Sequence, residues 1–173
     1  MAFTLSTTLG KLTVPTDIRT HAAFLRWLAV ADVPEDLRVG FVRGRMWVEV
    51  MAERAFAHNR IKTAVAEAVG PLARRDRLGV YFGDGMQFTS VVAGITAYPD
   101  GLFVSHETIA AGRVELTGSK PGEEDTQLRG SPDLTVEVVS DSSEDKDAEW
   151  LMAGYWNAGR REYGLIAGRR AAV

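Results

Sequence analysis

Cysteine is absent from the 173 residues of this chain. That removes disulfides, thiolate zinc sites and cysteine nucleophiles together. The absence fits a reducing compartment, and a cytoplasmic location is expected. No apolar run approaches the ~18 residues a membrane-spanning helix needs. The N-terminus, MAFTLSTTLGKLTVPTD, has no charged-then-apolar signal pattern. A soluble, intracellular protein with no membrane partner is expected. An excess of positive charge is lacking too: 20 Lys and Arg stand against 23 Asp and Glu, for a net charge of −3 and a pI near 5.6. The chain has no global basic footprint of the kind many nucleic-acid binders carry. Arg74, Arg75 and Arg77 could form a local basic patch, although a solvated helix end explains them as well. No G-x-S-x-G, P-loop, G-x-G-x-x-G or H-E-x-x-H pattern occurs, so the corresponding chemistries have no support. Internal repeats, low-complexity segments and linkers are missing as well.

What is present is an ordinary globular composition, 46% hydrophobic and 25% charged. The length suits one domain over 1–173, with 1–16 as a loose or strand-like lead-in. Asp17 is placed to cap a helix from about Ile18 to Val30, with Ala22, Leu25, Leu28 and Ala29 on one face. Val39 to Val50 reads as a hairpin that turns at Arg43-Gly44. Ile61, Val65, Ala68, Val69 and Leu72 form the apolar stripe of a helix from about Glu53 to Ala73, which Pro71 should end or kink. Strand-like segments follow at Val80–Phe82, Met86–Val92 and Gly101–Val104. Residues 112–130 hold four glycines and a proline and suggest an excursion or hairpin. A strand at Leu134–Val139 precedes a helix from about Glu144 to Ala158, closed by Gly159, and a last strand covers Glu162–Ile166. Helices around a cluster of strands predict an α/β fold with a central mixed sheet.

The chemistry concentrates in PDLTVEVVSDSSEDKDAEWLMAGYWNAG, residues 132–159. Glu137 sits inside the apolar run LTVEVV. Alternation puts Leu134, Val136 and Val138 on one face and Thr135, Glu137 and Val139 on the other. The strand can be an edge with one wet face, where glutamate costs little, or a central strand, where the acid needs a partner such as a metal ion. Asp100, in AYPDGLFVS, is an ordinary turn residue on its own. It also stands at the mouth of another buried-looking strand. Lys146 lies on the rim of the inner stripe of the helix after Glu137, a stripe of Asp147, Leu151, Gly154, Tyr155 and Ala158. Two carboxylates and a lysine on neighbouring elements are what metal-dependent phosphodiester hydrolysis needs. His58 and Lys62, four residues apart on the long helix, are candidates to contact a phosphate.

In order and spacing, HNRIK on a helix, then YPDGLFVS, then SPDLTVEVVSDSS and a helix ending YWNAGRREYGLI, the chain resembles the Uma-type restriction-endonuclease family. That family, formerly a domain of unknown function, belongs to the PD-(D/E)xK nuclease superfamily. The resemblance runs from about residue 20 to residue 166. It implies a restriction-endonuclease-like core: a central mixed β-sheet flanked by helices. It further implies that Asp100 and Glu137 are the motif acids, which with the Val138 carbonyl would ligate Mg²⁺ or Mn²⁺. Hard cations favour such oxygen ligands. The superfamily lysine often sits two residues after the glutamate, where this chain has Val139. Many members of the family place it where this chain has Leu151. Lys146, the only lysine in that helix, is assigned the role here. The hairpin that often reads E-L-I-D-G-E is GFVRGR, so Gly40, Arg43 and Arg45 replace acids. Gly164 and Ala167 stand where an aromatic residue and an aspartate are usual.

The expected function is therefore a metal-dependent endonuclease acting on DNA, as a homodimer because two sites related by a two-fold axis cut both strands most simply. The alternative is a non-catalytic member of the same fold that binds nucleic acid or a protein. A small-molecule-binding or structural domain is a third possibility, since fold does not fix function.

Overall fold

The computed structural model describes residues 1–51, 56–83, 86–118, 126–139, 150–159 and 162–167. The first sixteen residues pair with one another: β1 (Ala2–Ser6) and β2 (Lys11–Pro15) form an antiparallel hairpin. Its inward residues, Leu12 and Val14, are buried. Helix α1 (His21–Leu28) is shorter than the sequence suggests. Its N-cap is Thr20, whose hydroxyl accepts the Ala23 amide, and not Asp17. Its fully buried residues are His21 and Phe24; of the expected stripe, Leu25 and Leu28 are half-buried against the same core, and Ala22 and Ala29 are exposed.

Strands β3 (Leu37–Val42) and β4 (Arg45–Val50) form the expected hairpin, with positive φ at both Arg43 and Gly44. Alternation divides β3 between two cores. Val39 and Phe41 join Leu12, Val14, Ile18, Phe24 and Leu37 in one, and Val42 points into the other. Helix α2 (Phe56–Arg75) runs through Pro71 and ends a turn later. There the Leu78 amide donates to the Ala73 carbonyl and Arg77 takes a positive φ. Leu72, expected on the buried stripe, is exposed, and Ala73 is buried instead.

Strands β5 (Gly79–Phe82), β6 (Gln87–Ser90), β7 (Ile95–Ala97) and β8 (Gly101–Ser105) follow. The three-residue β7 and the short helix α3 (His106–Ala110) were not visible as separate elements in the sequence. Within 112–130, where an excursion or hairpin was expected, β9 (Val114–Thr117) pairs antiparallel with β10 (Gln127–Gly130). Strand β11 (Leu134–Val139), helix α4 (Met152–Asn157) and strand β12 (Glu162–Ala167) complete the described fold.

The strands form two mixed sheets beside the β1–β2 pair. One has the order β4-β3-β7-β6-β10-β9, with β6 and β10 parallel. The other has the order β12-β11-β8-β5, with β11 and β12 parallel. The larger core lies between them: Val42, Phe88, Ile95, Ala97 and Leu128 from the first sheet meet Leu102 and Val104 from the second. Leu151, Tyr155 and Ala158 of the α4 region complete that core. A Cβ on Gly154 would lie 2.6 Å from Val42 Cγ2 and 2.7 Å from Ile95 Cδ1, so only glycine lets α4 approach the first sheet this closely. Helix α2 packs against β5 and β11 of the second sheet.

The opposite face of the first sheet carries a buried polar ladder. His21 Nε2 and Thr89 Oγ1 each lie 2.9 Å from Thr96 Oγ1, and the Gln127 amide donates to Thr89. Every member lies within reach of another, which is how buried polar groups are tolerated. Burial holds the His21 imidazole below its ordinary pKa.

Candidate active site

Glu137 lies on β11, and Asp100 stands immediately before the neighbouring β8. The antiparallel register pairs Leu134 with Phe103 and Val136 with Gly101, which carries Glu137 to the level of Asp100. Strand β11 lies inside its sheet, between β12 and β8. Glu137 is 5% exposed, so of the two placements open from the sequence the strand takes the central one.

A buried carboxylate costs several kcal/mol unless hydrogen bonds compensate it. Glu137 receives one from the Tyr155 hydroxyl, at 2.5 Å from Oε1. The Tyr155 ring packs at 5.9 Å from that of Phe88, so α4 reaches from the first sheet to the acid on the second. Asp100 is held at both oxygens. Oδ2 accepts the Val138 amide at 2.7 Å, and Oδ1 lies 2.7 Å from Lys62 Nζ. The Lys62 and Asp100 side chains are 15% and 10% exposed. Charge-assisted hydrogen bonds of this kind are roughly twice as strong as neutral ones. Burial, with the Asp100 carboxylate nearby, pushes the Tyr81 phenol above its ordinary pKa. Tyr81 lies across the residue after Asp100: a Cβ on Gly101 would fall 2.0 Å from its hydroxyl oxygen.

Asp133 fixes the far end of the same pair of strands. Its carboxylate accepts the Ser105 amide at 2.7 Å and the Thr108 hydroxyl at 2.8 Å. Burial alone would raise its pKa. The bonds from Ser105 and Thr108 and the charge of Arg113 outweigh it and hold the carboxyl below its usual range.

Of the residues singled out in the sequence, the structure brings together Asp100, Glu137, Val138 and Lys62. His58 lies in the first turn of α2, four residues before Lys62. Lys146 lies outside the described residues. Leu151, at the position where the resemblance would put a lysine, is buried in the apolar core. The hairpin arginine Arg45 stacks its guanidinium 4.5 Å from the centre of the Trp150 ring. Tyr155 was legible only as a member of an inward stripe, and Tyr81 and Asp133 carried no signal that set them apart.

The groups expected to bind a metal, two carboxylates and the Val138 carbonyl, offer oxygens throughout. That set fits a hard divalent cation such as Mg²⁺ or Mn²⁺ and would suit a soft ion poorly. Among the described residues no cluster of three or more His, Cys, Asp or Glu side chains could hold a metal. A cation here would therefore take two side-chain ligands and fill its remaining positions with backbone, water or substrate oxygens.

A family model described as "Uma2: Putative restriction endonuclease" matches residues 21–173. Among solved structures, the chain is similar to the crystal structure of a putative nuclease from Anabaena variabilis. That similarity covers 86% of this chain and 73% of the other at 17% identity, with a TM-score of 0.58. No curated protein matches. Among the described residues no helix is long and apolar enough to cross a membrane.

Proposed function

Because this chain belongs to the Uma2 family of restriction-endonuclease-like proteins, we propose that it is a metal-dependent endonuclease that hydrolyses DNA phosphodiester bonds. The observation that carries the reading is the placement of Asp100, immediately before β8, level with Glu137 on β11, both largely buried, with a lysine on the first. Two carboxylates brought together out of water repel unless positive charge sits with them; Lys62 supplies one such charge on Asp100, and a divalent ion between the acids would supply more.

In this reading Asp100, Glu137 and the Val138 carbonyl hold Mg²⁺ or Mn²⁺. Such an ion lowers the pKa of a bound water and polarises a phosphate oxygen. The chain's own residues supply the geometry. The Val138 amide fixes the rotation of the Asp100 carboxylate, and the Tyr155 hydroxyl fixes that of Glu137. Holding ligands in advance removes reorganisation from the reaction. Lys62 and His58, both on α2, are assigned to contact the phosphate, and Lys146 is assigned to orient the attacking water. DNA is the expected substrate, cut by two copies related by a two-fold axis.

Two features favour a non-catalytic, nucleic-acid- or protein-binding member of the fold as the second reading. Leu151 is apolar where the family places a lysine, and Arg45 stacks on Trp150 where acids are usual. A calorimetric Mn²⁺ titration beside a plasmid-nicking assay decides between them. The nuclease reading expects Mn²⁺ binding and Mg²⁺-dependent nicking, both lost in Asp100→Ala and in Glu137→Ala. DNA binding that persists without divalent ions, with no nicking in the wild type, would favour the second reading. Nicking retained by Asp100→Ala would remove Asp100 from the site.

A further inference from the structure

Lys62 occupies the place on Asp100 that a cation would take. Asp100 Oδ2 is committed to the Val138 amide and Oδ1 to the Lys62 ammonium, each at 2.7 Å. Val139 stands two residues after Glu137 and Leu151 is buried in the core, so neither position supplies a lysine, and Lys146 lies outside the described residues. Lys62 is thus the lysine that the described structure brings to the acids. We propose that Lys62 is a catalytic residue that alternates between Asp100 and the substrate, because its ammonium and a divalent cation compete for Asp100 Oδ1.

The proposal rests on the nuclease reading and deepens it. An ammonium and a divalent ion at contact distance from one carboxylate oxygen repel each other, and in a site this buried the repulsion is only weakly screened, so the two compete for Oδ1. Lysine suits the exchange. Its charge is a compact point at the end of a four-carbon stem, so it can leave Asp100 without moving α2. Once displaced, the ammonium can reach toward a phosphate oxygen of the bound strand. There it neutralises the charge that builds up as the phosphorus–oxygen bond breaks. In the resting protein the same ammonium compensates Asp100, so the acid is kept buried and oriented before any ion arrives.

Titration calorimetry with Mn²⁺ on the full chain tests this, using wild type, Lys62→Met, Lys62→Gln, Lys62→Arg and Asp100→Asn, each first shown to be folded by its thermal transition. Removing the competing ammonium should tighten Mn²⁺ binding about tenfold or more in Lys62→Met and Lys62→Gln, while nicking is lost. Lys62→Arg keeps a competing charge and should stay within about threefold of the wild-type affinity, with nicking partly retained. Mn²⁺ affinity in both neutral variants within about threefold of wild type, while Asp100→Asn abolishes binding, would overturn the exchange and leave the nuclease reading intact. Absence of Mn²⁺ binding in wild type and neutral variants alike would remove Asp100 as a ligand, and the proposal with it.

Discussion

At Tyr155 one side chain divides between two environments: the ring packs on Phe88 and the hydroxyl serves Glu137. Tyr155→Phe keeps the ring and deletes only the donor. Hydrogen bonds to charged groups contribute about 1.5–3 kcal/mol, so urea unfolding in the absence of divalent ions should show a loss in that range. An unchanged midpoint would mean that the hydroxyl does not stabilise the acid. The sequence carried half of this. Alternation put Glu137 on the face away from Val136 and Val138, and helical spacing put Tyr155 on the inward stripe. That the stripe and the acid face the same core could not be read, because it depends on α4 crossing between two sheets. Lys62 was legible as a phosphate candidate, but its contact with Asp100 needs the packing of α2 against β5 and β11.

Helix α4 takes its position from a missing side chain. Gly154→Ala would place a methyl group against Val42 and Ile95, and overpacking of this kind costs about 1–3 kcal/mol. The helix would be pushed from the first sheet and Tyr155 drawn away from Glu137. Thermal unfolding should therefore fall, and Mn²⁺ affinity should weaken with it; loss of neither would show that the approach is not needed. Among the elements, those with strong periodicity were legible: the β3–β4 hairpin, α2, β11 and β12 all lie close to the segments read from the sequence. The failures have physical causes. β7 is three residues long and buried by its neighbours rather than marked by its own alternation. The α1 boundary went to Thr20 because its hydroxyl reaches the Ala23 amide, a contact that Asp17, three residues earlier, does not make. Pro71 left α2 uninterrupted through Arg75, so its propensity was overridden by tertiary packing.

For the molecule as a whole, the pH dependence of stability follows from the polar ladder. Burial lowers the His21 pKa from 6.5 in the fold, so on acidification the unfolded chain takes up the proton first. The stabilisation is complete above 6.5 and is lost as pH falls toward the lower folded value. Urea midpoints measured from about pH 7.5 down to about pH 5.5 should decline, and less so in His21→Gln. An equal decline in the variant would assign the effect elsewhere. Asp133 does not interfere, since its depressed carboxyl contributes above 3.8 and loses that contribution only under stronger acid.

The two acids stand at the entrance of β8 and within β11, the inner pair of a sheet whose borders are β5 and β12. Borders fray first, because among the described residues no further strand pairs with their outward amides and carbonyls. Peeling away either border leaves β8 and β11 still zipped together, with Asp100 and Glu137 at the same spacing. The acids part only when the middle of the sheet separates, and at that stage little of this layer survives. Breathing at the rim and erosion of the proposed site are thereby uncoupled.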